Sequence, residues 1–177
     1  MQKAEFNNFL YVDENYLKDV FKKDIISIFD YSDFFARELL FQYKFEGKRE
    51  LGKFFAGILD SYISADETAV PVPSSVISIK QRGWDQMKLI CKHLRRKYAL
   101  MLMNNSSFQQ KKLSKEERLK SGLDRFSINK SSVVSRESKI VVIDDVYTTG
   151  NTVLSAMNLL KSDGYENVRA ITLYAEI

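Results

Sequence analysis

The chain of 177 residues has one cysteine, Cys91, one histidine, His93, and two prolines, Pro71 and Pro73. A single cysteine excludes an internal disulfide and a cysteine-rich zinc site, so no zinc is expected. A Ser-His-Asp triad would have to use His93, which sits in a Lys/Arg-rich stretch two residues from Cys91. Both residues read as structural. The opening residues, MQKAEFNNFLYVDENYL, lack an apolar core bounded by basic residues, so they do not read as a signal peptide. No apolar run approaches the roughly 18 residues of a membrane span. The expected setting is cytoplasmic, with no membrane insertion. GxxxxGK[ST] and GxGxxG are both absent, which removes a Walker A loop and a dinucleotide fold.

What is present describes a globular chain. Hydrophobic residues are 45%, charged residues 28% and aromatics 12%, enough for one well-buried domain over 1–177. The net charge of +4 is unevenly spread, because residues 80–125 hold thirteen Lys/Arg against four Asp/Glu. A basic centre in an otherwise acidic chain suits a polyanion or phosphate partner, and equally a solvated helix face followed by a charged loop.

Hydrophobic periodicity places the elements. DIISIFDY (24–31) reads as a strand, 33–45 and 49–63 as helices, and TAVPVPSS (68–75) as a strand that stops at its prolines. Trp84, Met87, Cys91, Leu94 and Tyr98 recur every three or four residues and predict a helix over 83–100. Residues 104–125 are polar and basic, the candidate flexible loop of the chain. IVVID (140–144) reads as a buried strand, Gly150 to Ser162 as a helix, and VRAITLYAEI as a final strand. Strand, loop, helix, strand is a βαβ unit, the building block of a parallel sheet.

The richest stretch is KIVVIDDVYTTGNTV, residues 139–153. Two acids, Asp144 and Asp145, follow an aliphatic strand, where ligands of open α/β sheets bind. Thr148, Thr149, Gly150, Asn151 and Thr152 then lead into a helix N-terminus, whose free N–H groups and dipole favour a phosphate. A bare phosphate would be repelled by the two carboxylates. A phosphorylated sugar would use both, its diol on the acids and its phosphate on the turn. The same acids can help hold, through water, an Mg²⁺ that a diphosphate brings with it. A phosphoacceptor receiver domain also begins with a strand ending in two acids, but only 32 residues follow Asp145, too few for that fold.

VIDDVYTTGNT resembles the phosphoribosyl diphosphate (PRPP) signature of type I phosphoribosyltransferases, with Tyr147 standing where a small aliphatic is usual. Further segments resemble the ComF-type competence family within that superfamily. These are PVP (71–73) followed by RGWDQ (82–86), the upstream YKFEGKRELGKFF, and QKKLSKEERLKSGLDRF. In the last of them Gln110, Leu113, Ser114, Arg118 and Phe126 match, and together the segments cover about residues 25–177. Asp85 and Ser121 stand where the family shows Asn, and residues 1–23, of uncertain role, carry no four-cysteine zinc module.

The resemblance implies a type I phosphoribosyltransferase-like α/β fold, a parallel sheet flanked by helices with a small hood. It implies that Asp144 and Asp145 bind the ribose hydroxyls and that Thr148 to Thr152 bind the 5′-phosphate. Pro73, Ser74, Ser75, Lys80 and Arg82 are candidates for the pyrophosphate side, although the prolines also fit a plain strand exit and the cations a solvated turn. Lys115 and Arg118 are the candidate cations of the 104–125 loop. No side chain reads as a nucleophile, and the catalytic residues are unknown. The expected function is a ComF-like protein that binds PRPP or a related phosphoribosyl compound with Mg²⁺, linked to DNA uptake in natural transformation. Its expected partners are PRPP, single-stranded DNA and other competence proteins. A nucleobase salvage phosphoribosyltransferase and a non-enzymatic PRPP-binding regulator fit the same pocket. For DNA, the basic segment offers Trp84, Tyr98, Phe108 and Phe126 as stacking aromatics, and the same residues would fit a core.

Overall fold

A computed structural model describes residues 24–105, 125–132 and 134–176. In chain order its elements are β1 (Ile25–Asp30), α1 (Phe34–Lys44), α2 (Leu51–Asp60), β2 (Glu67–Pro71), α3 (Val76–Arg82) and α4 (Gln86–Cys91). There follow β3 (Lys97–Tyr98), β4 (Leu102–Asn104), β5 (Phe126–Ile128), β6 (Lys139–Tyr147), α5 (Asn151–Ser162) and β7 (Val168–Ala175).

Five of the strands form one parallel sheet in the order β1-β7-β6-β2-β3, and β4 and β5 form an antiparallel ribbon. β6 and β7 are buried nearly throughout, as their aliphatic runs predict for parallel strands covered on both faces. Successive side chains of a strand point to opposite faces. Ala69, Val141, Ile143, Ile171 and Leu173 meet α1, α2 and α4 on one face. Val70, Ile140, Val142 and Ala170 meet α5 and the ribbon on the other.

This division follows from the direction of the crossovers. The chain steps one way across the sheet from β1 to β2 to β3, then back from β3 to β6 to β7. Right-handed crossovers moving in opposite directions must lie on opposite faces, which is where α4 and α5 are found. β2 and β6 are the neighbours at which the direction reverses. Their pairing runs to Pro71 opposite Ile143, and Val72 N–H still donates to Ile143 O at 2.9 Å. Beyond that point the two chains diverge toward opposite faces, and such a switch point opens a crevice at the carboxyl ends of the strands.

The helix predicted over 83–100 does not form as one piece. Gly83 adopts φ 80° and caps α3, Asp85 caps α4, and α4 stops at Cys91. The following cations then find other partners. Arg95 N–H donates to both carboxylate oxygens of Asp60 at 3.1 Å, and Arg96 reaches Asp60 O. Lys97 and Tyr98 join the sheet edge beside Thr68 and Ala69. The apolar spacing at Leu94 and Tyr98 therefore belongs to a turn and an edge strand. β6 is also longer than the sequence reading of 140–144, so Asp144 and Asp145 lie inside its last turns of pleat, opposite Thr172 and its neighbours in β7.

Candidate functional site

β6 carries both acids to the carboxyl side of the switch point, where β2 has already ended. Asp144 and Asp145 are 7% and 8% exposed. Asp144 Oδ1 accepts from Asp145 N–H at 2.9 Å, and Asp145 Oδ1 accepts from Val146 N–H at 2.7 Å. Asp145 Oδ2 forms an ion pair with Lys44 Nζ at 2.6 Å. Apart from that ion pair, Asp145 Oδ2 is buried without a hydrogen-bond partner among the described residues. Burial raises the Asp144 carboxyl well above its ordinary range, and the adjacent Asp145 charge pushes it further; the Asp145 N–H, Lys44 and Arg125 pull the other way. Two buried carboxylates side by side form a site of strong negative potential that lacks full compensation from its own fold.

The turn that follows is open. Thr148, Thr149 and Asn151 are exposed, Thr152 is half-buried, and Gly150 is buried at φ 74°. Gly150 occupies the N-cap of α5, and no side chain among the described residues caps that helix. The first N–H groups of α5 therefore face outward without a side-chain acceptor, beside three threonine hydroxyls and an asparagine amide. The structure thus brings Asp144, Asp145 and Thr148–Thr152 into one strand-to-helix connection.

The loop after β2 forms the facing wall. Asp85 ties it down twice, accepting from Ser74 N–H at 3.2 Å through Oδ2 and from Lys88 N–H at 3.0 Å through Oδ1. A carboxylate supplies both acceptors. Pro73 O accepts from Asn104 Nδ2 at 3.1 Å, Arg82 Nη2 donates to Ser74 Oγ at 3.3 Å, and Ser75 Oγ caps α3 by accepting from Ser78 N–H at 3.1 Å. Arg82 Nε is buried without a hydrogen-bond partner among the described residues. Arg82 lines a groove of about 380 Å³ together with Lys44, Phe45, Ser78 and Trp84. Lys80 is exposed and does not line that groove. Lys115 and Arg118 lie outside the described residues.

Two residues that sequence reasoning did not single out belong here. Lys44 is the last residue of α1, and its helix is held by aromatic packing: Tyr43 meets Trp84 with ring centroids 4.8 Å apart and donates to Gln86 O at 2.8 Å. Arg49 lies 5.6 Å over the Trp84 ring. The YKFEGKR and RGWDQ segments thus lock together and deliver Lys44 to Asp145. The signal for Lys44 was its place within the first of those segments. The second residue is Arg125, which immediately precedes β5, lies 5.5 Å from the Phe126 ring and acts on Asp144. Only its charge and its place at the end of the 104–125 stretch marked it in the sequence.

The remaining sequence candidates divide between the core and the surface, and Phe108 lies outside the described residues. Cys91 is buried, and its thiol is pushed up to about 12 by burial and by Asp85. His93 is exposed. Phe126 is 3% exposed and belongs to the core, Trp84 is packed under Tyr43 and Arg49, and Tyr98 is 41% exposed at the sheet edge. No group of three or more His, Cys, Asp or Glu is arranged to hold a metal among the described residues. The acids fit Mg²⁺ as Mg²⁺ is ordinarily held, by one or two carboxylates plus the phosphates of a substrate. Among the described residues no helix is long and apolar enough to cross a membrane.

The phosphoribosyl transferase domain model matches residues 48–177. The chain is similar to the competence protein ComFC of Streptococcus pneumoniae, 30% identical over 153 residues that cover 83% of this chain and 66% of that protein. It is also similar to the competence protein ComFC of Bacillus subtilis, 32% identical over 155 residues, covering 83% and 62%. The chain therefore spans less than two thirds of the length of these relatives. Among solved structures, adenine phosphoribosyltransferase from Leishmania donovani aligns with 85% of this chain and 82% of its own, at 13% identity and a TM-score of 0.43.

Proposed function

The chain belongs to the phosphoribosyl transferase domain family, in its ComF-type branch, and on that premise we propose that it binds phosphoribosyl diphosphate, or a related phosphoribosyl compound, with Mg²⁺. The observation that carries this reading is one connection. Two buried acids in β6 are followed, five residues after Asp145, by a glycine-capped helix start with no side-chain cap among the described residues, at the switch point of a parallel sheet. Acids alone would suit a cation and the turn alone an anion. A phosphorylated sugar satisfies both.

In this reading the ribose hydroxyls donate to Asp144 and Asp145. The 5′-phosphate accepts from the α5 N–H groups and from Thr148, Thr149, Asn151 and Thr152. The diphosphate lies toward Ser74, Ser75 and Arg82. Mg²⁺ supplies charge neutralisation on the diphosphate. If an acceptor is present, the reaction is displacement of pyrophosphate from the anomeric carbon through an oxocarbenium-like transition state. The described side chains supply positioning and electrostatic stabilisation for that step, with no covalent intermediate. The buried acids sit on the ribose side, where their negative charge favours an electron-poor sugar ring.

The relatives are competence proteins by name. On that ground we place this chain in DNA uptake, with single-stranded DNA and other competence proteins as partners. Among the described residues Lys88, Lys92, Arg95 and Lys97 are exposed on one basic segment. Binding to phosphates there would weaken steeply with salt.

The test is calorimetry with PRPP and Mg²⁺, then product analysis with a panel of free bases. Binding is the expected result. Pyrophosphate release with a simple purine or pyrimidine would move the function to nucleobase salvage. Labelled single strands titrated at two salt concentrations test the DNA role, and a salt-independent signal or no binding at low salt counts against it.

A further inference from the structure

Given a phosphoribosyl ligand at this strand end, as proposed above, we infer that Lys44 is a specificity-determining residue that makes the site favour a ribose bearing a diphosphate over ribose 5-phosphate.

Asp144 Oδ1 and Asp145 Oδ1 are both held by backbone N–H groups. Asp145 therefore meets a hydroxyl through Oδ2, and Lys44 Nζ stands on that atom at 2.6 Å. The pair is largely shielded, with side-chain exposures of 16% for Lys44 and 12% for Asp145. That oxygen is buried, so a ribose hydroxyl reaches it only by displacing the ammonium. Leaving a shielded charge without its partner is costly, so displacement is favourable only where Lys44 gains another anion.

The position of Lys44 decides which ligands supply one. Lys44 ends α1 and lines the same groove as Ser78 and Arg82, on the β2-loop side of the crevice. Its flexible stem and three rotatable donors let it change partner without moving the helix. The turn at Thr148–Thr152 leads into α5 on the opposite face of the sheet. A phosphate bound at that turn gives Lys44 nothing. A diphosphate at C1 of the same sugar points into the Lys44–Arg82 groove and replaces the anion that the diol removed. The ion pair thus penalises a ligand with one phosphate and leaves a ligand with both ends charged nearly unpenalised.

Calorimetry with PRPP–Mg²⁺ and with ribose 5-phosphate tests this on the unmodified chain and on Lys44→Met. The unmodified chain is expected to prefer PRPP. Lys44→Met is expected to cut that preference about tenfold, the scale of one charge-assisted hydrogen bond, with PRPP weakened and ribose 5-phosphate unchanged or tightened. Lys44→Arg is expected to retain the preference. Equal weakening of both ligands in Lys44→Met would mean that Lys44 only supports the fold, and would overturn the inference. Should Lys44→Met not fold, the unmodified chain still answers. Inorganic pyrophosphate, without Mg²⁺, is expected to tighten ribose 5-phosphate binding by giving Lys44 its new partner, and independent or antagonistic binding overturns the inference. Failure of the unmodified chain to bind either sugar phosphate would be a different result, overturning the phosphoribosyl reading and this inference with it.

Discussion

Tyr147 packs the edge of its ring against Gly150, three residues further along the turn. A Cβ at Gly150 would stand 2.6 Å from Tyr147 Cζ and 2.8 Å from Cε2. Tyr147 is 8% exposed and belongs to the core beneath α5, so the ring forms a floor under the Thr148–Thr152 turn. Gly150 also holds φ 74°, a conformation costing an L-residue about 1–2 kcal/mol. Gly150→Ala is therefore expected to destabilise the chain by more than that conformational cost. The check is chemical denaturation of Gly150→Ala alone and with Tyr147→Val. The alanine penalty should fall toward the conformational cost once the ring is gone; an unchanged penalty would show that the ring does not constrain the turn.

Asp144 opposes stability at the site proposed to bind ribose. Burial and the Asp145 charge raise its carboxyl well above its ordinary range. A folded-state value above the unfolded one means that the folded chain holds the proton more tightly. Stability is then lost as pH rises from the unfolded value through the folded one. Asp144→Asn removes the group that titrates. The variant is expected to melt higher than the unmodified chain near neutral pH, by at least about 2 °C, the shift that ~1 kcal/mol gives in a chain of this size. The gain should shrink as pH falls, while PRPP affinity is lost. Thermal melts from pH 4 to pH 8 check it, and a variant less stable at pH 8 than at pH 4 relative to the unmodified chain contradicts it.

The opposite sign holds at the amino end of the sheet. Glu67 is 7% exposed, and Arg169 grips it through Nε at 2.6 Å and Nη2 at 2.7 Å while Ser64 N–H donates at 2.8 Å. Burial disfavours the Glu67 carboxylate, but these hydrogen bonds outweigh it and hold the group below its ordinary value. A depressed acid contributes stability above its unfolded value and loses it as pH falls through the folded one. Arg169→Ala leaves a buried carboxylate unpaired, a change on the order of 3–5 kcal/mol. Denaturation at pH 7 and at pH 3 should show a large deficit at the first and a smaller one at the second. Equal deficits would mean that the pair contributes packing alone.

Asp85→Asn replaces two acceptor oxygens by one. Either Ser74 N–H or Lys88 N–H must lose its partner, at a cost of about 1 kcal/mol. Because α4 needs its cap, the loop after β2 is expected to yield. Hydrogen exchange at the Ser74 amide should quicken and pyrophosphate affinity should fall, with the fold intact. Unchanged exchange at Ser74 would show that the loop is held by its other contacts.

Much of this architecture was legible because period and composition agree there. β6, α5 and β7 carry aliphatic runs bounded by Gly150 and Gly164, and each falls close to its predicted place. The acidic strand and its threonine turn were legible for the same reason, since the whole unit is contiguous in sequence. The helix predicted over 83–100 failed because Gly83 and Asp85 are breakers whose effect depends on contacts elsewhere, and because Arg95 and Arg96 answer to Asp60, 35 and 36 residues away. Lys44 was not legible as a site residue for the same kind of reason. Its partner lies a hundred residues further along the chain, and only the switch-point topology brings the end of α1 to the end of β6.

The central claim is that one ligand satisfies the buried acids and the open turn together. Calorimetric titration of PRPP with Mg²⁺ into the unmodified chain, Asp144→Asn, Asp145→Asn and Thr149→Val tests it most directly. Saturable binding by the unmodified chain, weakened in all three variants, is the expected result. Absence of binding by the unmodified chain, or the same affinity in all four proteins, would contradict it.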